Sequence, residues 1–142
     1  MLDDERLIDD VLTYTETTED IRVSVQTYYL SEQSEPSEGK YIWTYRILIE
    51  NQGSIPVRLL TRHWIITDGK GSTQEVVGDG VIGEQPRLEP GGDFIYTSGC
   101  PLNTPSGFMR GSYEMEDISG NVFKVAIPAF SLDSPFCSPN IN

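Results

Sequence analysis

Hydrophobic and polar residues alternate along most of the chain, beginning at Ile21. In the segment IRVSVQTYY, Ile21, Val23 and Val25 fall on one face, and the polar residues between them fall on the other. In YIWTYRILIE, residues 41–50, aromatic and aliphatic side chains recur at every second position. A period of two is typical of a half-buried β-strand. The pattern therefore predicts strands over 21–29 and 41–50.

Shorter segments predict further strands downstream. They are VRLLTRHWIIT, TQEVVG, DFIYTS, GSYEMED and VFKVAIP. Turn signals separate them, and LEPGGDF places Pro90 and Gly91 at the two central positions of a type II turn. Short strands at close intervals, without a convincing helix after residue 20, predict an all-β fold built as an antiparallel β-sandwich.

The first 20 residues follow a different pattern. Leu7, Ile8, Val11 and Leu12 have helical spacing, which predicts a short helix over about residues 3–13. The TETTED run after it, residues 15–20, is interpreted as a linker. We therefore predict an acidic N-terminal extension over 1–20, one sandwich domain over 21–136 and a short tail over 137–142.

Charge excludes two classes of partner. The 142 residues include 22 acidic and 10 basic side chains, a net charge of −12. Nucleic acids and anionic membranes are bound by clustered Lys and Arg, so neither is expected as a partner. No apolar run is long enough to span a bilayer, and the acidic first residues do not resemble a secretory signal, so we expect a cytoplasmic protein.

The segment GDGVIGEQP contains glycines at Gly78, Gly80 and Gly83, the spacing of a dinucleotide-binding loop. Such a loop must open a helix, because the helix N-terminus receives the pyrophosphate. Here Pro86 favours extended backbone at Gln85, so a helix is not expected. We interpret the segment as a bulged or sharply bent connection between strands.

One alternative for this segment stays open. Glycine-rich backbone forms an anion-binding nest without a helix, provided that cationic side chains lie nearby. The candidate ligand-binding residues for a small anion, such as pyrophosphate or a nucleotide, are Gly78, Gly80, Gly83, Arg62 and Arg87.

The remaining candidate residues are a histidine, two cysteines and two aromatic residues. His63 is the only histidine, and by alternation it shares a face with Val57 and Leu59, so a packed or rim position is expected rather than a catalytic one. Cys100 is expected to be partly exposed in a loop, and with one histidine and two cysteines a structural zinc site is not expected. Trp64 and Tyr41 are the aromatic residues whose exposure would indicate a recognition surface. No cofactor is predicted.

Residues 21–136 resemble the ApaG domain. The segments that carry the resemblance are IRVSVQTYYLSEQSEP, YIWTYRILIEN, RHWIITDGKG, EVVGDGVIGEQPRLEPGGDFIYTSGCPL, GFMRGSYEM and VFKVAIPAFSL. The resemblance implies an immunoglobulin-like or fibronectin-III-like β-sandwich, in agreement with the strand pattern. It implies no established enzymatic reaction, and in modular proteins the domain resembles a protein-interaction unit.

The function that we predict is a non-enzymatic binding module for an unidentified protein partner, with a homodimer as one form. The first alternative is binding of pyrophosphate or a nucleotide through Gly78–Gly83. The second is an indirect role in cobalt or magnesium homeostasis, which only the resemblance suggests.

Overall fold

Among the residues that the structure describes, nine β-strands make up nearly all of the regular structure. A computed structural model describes residues 7–8 and 11–136. The strands are β1 (Tyr14–Thr18), β2 (Ile21–Tyr29), β3 (Tyr41–Asn51), β4 (Val57–Asp68), β5 (Thr73–Asp79), β6 (Arg87–Leu88), β7 (Asp93–Leu102), β8 (Ser106–Asp117) and β9 (Val122–Asp133). Two short 3-10 turns, Ser31–Gln33 and Pro36–Glu38, lie in the loop between β2 and β3.

The strands form two antiparallel sheets. One has the order β1-β2-β3-β7; the other has the order β5-β4-β8-β9, with β6 paired to β4. The inner faces of the two sheets pack on each other, and their alternating apolar residues form one core. The predicted all-β sandwich of the fibronectin-III type is confirmed.

Aromatic residues fill the centre of this core. Trp64 of β4 packs against Tyr45 of β3 and Phe130 of β9, with ring centroids 5.2 and 5.9 Å apart. Trp64 is only 3% exposed, and Tyr41 is also buried. The two aromatic residues whose exposure would have indicated a recognition surface therefore belong to the interior.

The interpretation of residues 15–20 as a linker is wrong. Tyr14–Thr18 form β1, which pairs with β2 from Tyr14↔Val25 to Thr18↔Ile21. The Ala126 amide of β9 donates a hydrogen bond to the Thr18 hydroxyl at 3.2 Å, so β1 also joins the two sheets. Of the predicted helix over 3–13, residues 3–6 and 9–10 lie outside the described residues, and residues 7–8 and 11–13 are not helical.

A β-bulge changes which side of β4 faces the core. The pairing of β4 with β8 runs from Leu59↔Met115 directly to Thr61↔Glu114, so Leu60 is an extra residue. An extra residue reverses the alternation beyond it. Trp64 therefore faces inward, and the expectation that His63 shares a face with Leu59 is wrong. His63 lies partly exposed, with Nε2 3.6 Å from a Glu75 carboxylate oxygen.

Candidate functional site

The glycine segment, residues 78–86, connects β5 to β6 through a tight hairpin turn. The Val81 amide donates to the Glu84 carbonyl at 2.8 Å, and the Glu84 amide donates back to the Val81 carbonyl at 2.8 Å. The two residues inside this turn, Ile82 and Gly83, have φ angles of 41° and 80°. Positive φ at both central residues defines a type I′ turn. No helix begins at Gly83, as expected from the sequence.

Gly80 allows the two sides of this hairpin to approach each other. Its φ is 63°, and a Cβ added to it would overlap the Glu84 carbonyl oxygen. The Gly80 amide donates to the Leu60 carbonyl at 2.8 Å, and the Gln85 side-chain amide donates to the same carbonyl at 2.8 Å. The hairpin is thus attached to the bulge of β4.

Arg62 holds the start of the hairpin from the inward face of β4, where it is partly buried. It pairs with Gly78 of β5 and with the fully buried Tyr113 of β8, and cross-strand partners share a face. Its Nη1 donates to the carbonyls of Asp79 at 3.0 Å and of Gly80 at 2.9 Å. A Cβ on Gly78 would lie 2.9 Å from Nη1, so the absent side chain leaves the space that the guanidinium occupies.

These hydrogen bonds bear on the anion hypothesis. The amides of Gly80, Val81 and Glu84 donate to protein carbonyls rather than into an open nest. Arg62 also directs one nitrogen at two carbonyls. Arg62 nevertheless has no carboxylate partner among the described residues, so its positive charge is not neutralised by an ion pair.

Arg87 lies in a different groove. Its Nε is 2.6 Å from a Glu89 carboxylate oxygen, and it faces Arg58 across the β4–β6 pair. Pro56, Glu116 and Gly120 line the same groove. Of the five predicted ligand residues, the structure therefore brings Arg62 onto the glycine segment and pairs Arg87 with a carboxylate elsewhere.

A buried polar cluster lies next to Arg62. The hydroxyl oxygens of Tyr96 and Tyr113 are 2.6 Å apart, in a contact between the two sheets. Burial raises the pKa of both phenols, and Arg62 opposes that rise. Both hydroxyls therefore stay protonated at neutral pH, and the pair stabilises the protein through its hydrogen bond.

The remaining candidates do not form a reactive centre. Cys100 is buried within β7, so the expectation of a partly exposed loop cysteine is wrong. Burial raises the pKa of its thiol to about 11, which keeps it neutral. Within residues 7–8 and 11–136, no group of three or more His, Cys, Asp or Glu side chains is placed to hold a metal ion. In the same residues no helix is long and apolar enough to cross a membrane.

β5 is a sheet edge with a defined hydrogen-bonding side. The Asp68 amide donates to the Ser72 carbonyl, and the Gly80 amide donates to the Leu60 carbonyl. In an antiparallel pair these bonds recur at every second residue. The amides of Gln74, Val76 and Gly78 therefore point to β4. By the same alternation, those of Thr73, Glu75 and Val77 point away from the sheet.

Two features of this region are not predicted from the sequence. Ile82 is 55% exposed at the hairpin tip, and Val77 is 69% exposed on β5. The sequence signal for an exposed hairpin tip is the order V-I-G within GDGVIGEQP, because Gly83 marks a turn next to Ile82. The type I′ geometry at Ile82 could not be read from it, because isoleucine rarely adopts a positive φ.

Comparison with known proteins gives the family. The sequence profile of the ApaG domain matches residues 31–117. Protein ApaG of Paramagnetospirillum magneticum is 57% identical over 129 residues, which cover 91% of this chain and 99% of that protein. Protein ApaG of Sinorhizobium fredii is 59% identical over 122 residues, covering 86% of this chain and 94% of that protein.

A solved structure agrees with the fold. The ApaA protein from Bordetella pertussis matches with a TM-score of 0.79 at 47% identity. The match covers 88% of this chain and 98% of that chain. The similarity thus extends well beyond the region that the domain profile matches.

Proposed function

This chain belongs to the ApaG domain family, and we propose that it works as a binding module for a protein partner, without catalytic activity of its own. The observation that carries the proposal is the outer edge of β5. Among the described residues β5 pairs with β4 alone, and its outward amides can hydrogen-bond to a strand of another protein.

This edge lacks two of the residue types that commonly protect the edges of natural sheets. Lysine and proline are common protecting residues, because they oppose further strand pairing. The sequence of β5, TQEVVGD, contains neither, whereas β7 contains Pro101 and β9 contains Lys124 and Pro128. The edge strand β1, YTETT, also contains neither, but it is joined to β9 through the Thr18 hydroxyl. Val77 adds an exposed apolar side chain to the same strand.

Charge favours a different protein over a second copy of this chain. Glu75 and Asp79 are exposed along β5, and each chain carries a net charge of −12. Two copies would bring like charges together at the same edge. A partner strand with Lys or Arg residues would complement them.

A proline at Glu75 tests the edge directly. Because the Glu75 amide points away from β4, Glu75→Pro removes an outward donor while the ladder to β4 keeps its bonds. The matched control is Glu75→Ala, which removes the carboxylate and keeps the amide. The wild type and the two variants are each used to capture binding proteins from a lysate of the source cells. The captured proteins are quantified by mass spectrometry. Titration of the purified captured protein then gives Kd.

We expect a specific protein to be retained by the wild type and by Glu75→Ala, and to be lost with Glu75→Pro. Circular dichroism and the unfolding midpoint establish that the proline variant is folded. An unrelated acidic β-sandwich serves as the control for capture. The proposal is overturned if the wild type enriches no protein that this control does not also enrich. Equal capture by a folded Glu75→Pro would overturn the assignment of this edge.

Anion binding is the second candidate, and the observation that favours it is the Arg62 guanidinium, which has no carboxylate partner within the described part of the chain. Titration with pyrophosphate or ATP, followed by amide NMR shifts, should perturb Gly78, Gly80 and Gly83 if the segment binds an anion. Unchanged shifts at millimolar ligand would remove this candidate.

A cytoplasmic location is also part of the proposal, and cell fractionation tests it.

A further inference from the structure

Ile82 occupies a backbone conformation that its side chain disfavours. It has a φ of 41°, and apart from glycines only Glu19 and Asp20 share a positive φ among the described residues. A β-branched residue in this region crowds its own backbone, and the sites with positive φ in a type I′ turn favour Asn, Asp or Gly. The fold alone would be served better by Asn or Gly at this position.

Burial does not compensate for this strain. The neighbouring Val81 is 1% exposed and packs in the core, whereas Ile82 is 55% exposed. Val81 therefore supplies the apolar contact of the hairpin with the rest of the protein. Strained residues that packing does not explain occur preferentially at functional sites.

The hairpin presents Ile82 in a fixed position. Arg62 holds the carbonyls that precede it, and Gln85 donates to the Leu60 carbonyl behind it. The Leu59 amide donates to the Pro86 carbonyl at 3.0 Å and closes the far end. A backbone that is already held in one conformation loses little conformational entropy on binding.

The charged residues within three positions of Ile82 in the sequence are both acidic. Glu84 and Asp79 are exposed on the two sides of the turn, and Arg62 is directed at backbone carbonyls. We infer that Ile82 is the anchor by which the hairpin inserts into an apolar pocket, bordered by Lys or Arg, on the protein partner. This inference rests on the proposed function and adds to it the residue that enters the partner and the chemistry of the pocket.

Net charge disfavours a second copy of this chain as the host for Ile82, because each copy carries −12. One groove, lined by Ile21, Ile55 and Phe123, carries the carboxylates of Glu19, Asp20 and Asp117 as well. Inserting the hairpin there would bring Asp79 and Glu84 against like charges. The occupant that the charges favour is a different protein with a basic rim around its pocket.

Replacement of Ile82 separates its binding role from its effect on folding. Ile82→Asn creates the Asn-Gly pair that a type I′ turn favours, so it removes the apolar side chain and relieves the backbone strain together. Ile82→Gly is the second variant, because glycine also accepts a positive φ. The matched control is Ile118→Asn, since Ile118 is 64% exposed in the turn between β8 and β9 and has no positive φ.

The two measurements are the thermal midpoint and Kd for the purified protein that the wild type captures. We expect Ile82→Asn to raise the thermal midpoint by about 4 °C. We expect it to weaken binding by about tenfold or more, which is the effect of removing a buried aliphatic side chain from an interface. Ile118→Asn should leave the thermal midpoint within about 1 °C and Kd within about twofold.

The outcomes distinguish this inference from the function on which it rests. If the wild type captures no specific protein, the proposed function fails and the inference fails with it. If a protein is captured and both Ile82 variants bind it as the wild type does, only the inference is overturned. A lower thermal midpoint for Ile82→Asn would overturn the premise that the turn is strained.

Discussion

Replacing Gly80 with alanine tests whether the hairpin depends on a close backbone approach. Gly80 has a φ of 63°, and an added Cβ would overlap the Glu84 carbonyl oxygen and lie 2.9 Å from the Glu84 carbonyl carbon. Both groups belong to the backbone, so no side-chain rotation relieves the contact. The Glu84 peptide unit itself has to move.

The expected cost has two parts. Placing alanine at a left-handed φ costs about 1–2 kcal/mol. Moving the Glu84 carbonyl weakens the hydrogen bond that it accepts from the Val81 amide at 2.8 Å, and the loss of one such bond costs about 1 kcal/mol. Gly80→Ala should therefore lower the free energy of unfolding by about 2–3 kcal/mol.

Gly83→Ala is the matched control for this prediction. Gly83 has a φ of 80°, but a Cβ there would meet nothing within 4 Å. Only the conformational cost applies, so we expect a loss of about 1–2 kcal/mol. Urea denaturation with a shared slope gives both values. If Gly83→Ala destabilises the protein as much as Gly80→Ala, the close approach contributes nothing and the reasoning is refuted.

Two further predictions concern the interior. Tyr96→Phe removes one partner of the 2.6 Å contact with Tyr113; it should cost about 1–3 kcal/mol in urea denaturation, and the double Phe variant should cost less than the sum of the single ones, since no hydroxyl is then left alone. Burial raises the pKa of the Cys100 thiol from 9.0 to about 11. In a Cys137→Ser background, Cys100 should therefore react with dithiobis(nitrobenzoate) at pH 8 about 100-fold more slowly when folded than when unfolded. Equal rates in the two states would contradict its burial.

The strands that the sequence predicts best are those with one clearly apolar face. β2 coincides with the predicted segment 21–29, and β3 alternates buried and partly buried residues along Tyr41–Asn51. β7 extends beyond the predicted DFIYTS through Gly99, Cys100 and Pro101, because it pairs with β3 over that whole length. Pairing with a neighbour, which a single sequence does not show, thus decides where such a strand ends.

Two misinterpretations share a physical origin in long-range pairing. β1, YTETT, is largely exposed and has no apolar face. Alternation of apolar and polar residues, the pattern that indicates a strand, is therefore missing from it. It forms because β2 supplies a complete ladder beside it. The bulge at Leu60 lies in the segment VRLLTRHW, and no turn residue or glycine in that segment marks the extra residue. The orientation of His63 and Trp64 depends on that residue.

The three glycines show why spacing alone does not identify a phosphate loop. Gly78 leaves room for the Arg62 guanidinium, Gly80 permits the approach of the Glu84 carbonyl, and Gly83 takes the second position of the type I′ turn. Each glycine meets a separate demand of the hairpin, and none of the three opens a helix. In a dinucleotide loop the glycines act together, to bring backbone amides to one anion. The same spacing here holds a tight turn whose exposed tip is an isoleucine, and the glycines contribute backbone geometry rather than a binding site for phosphate.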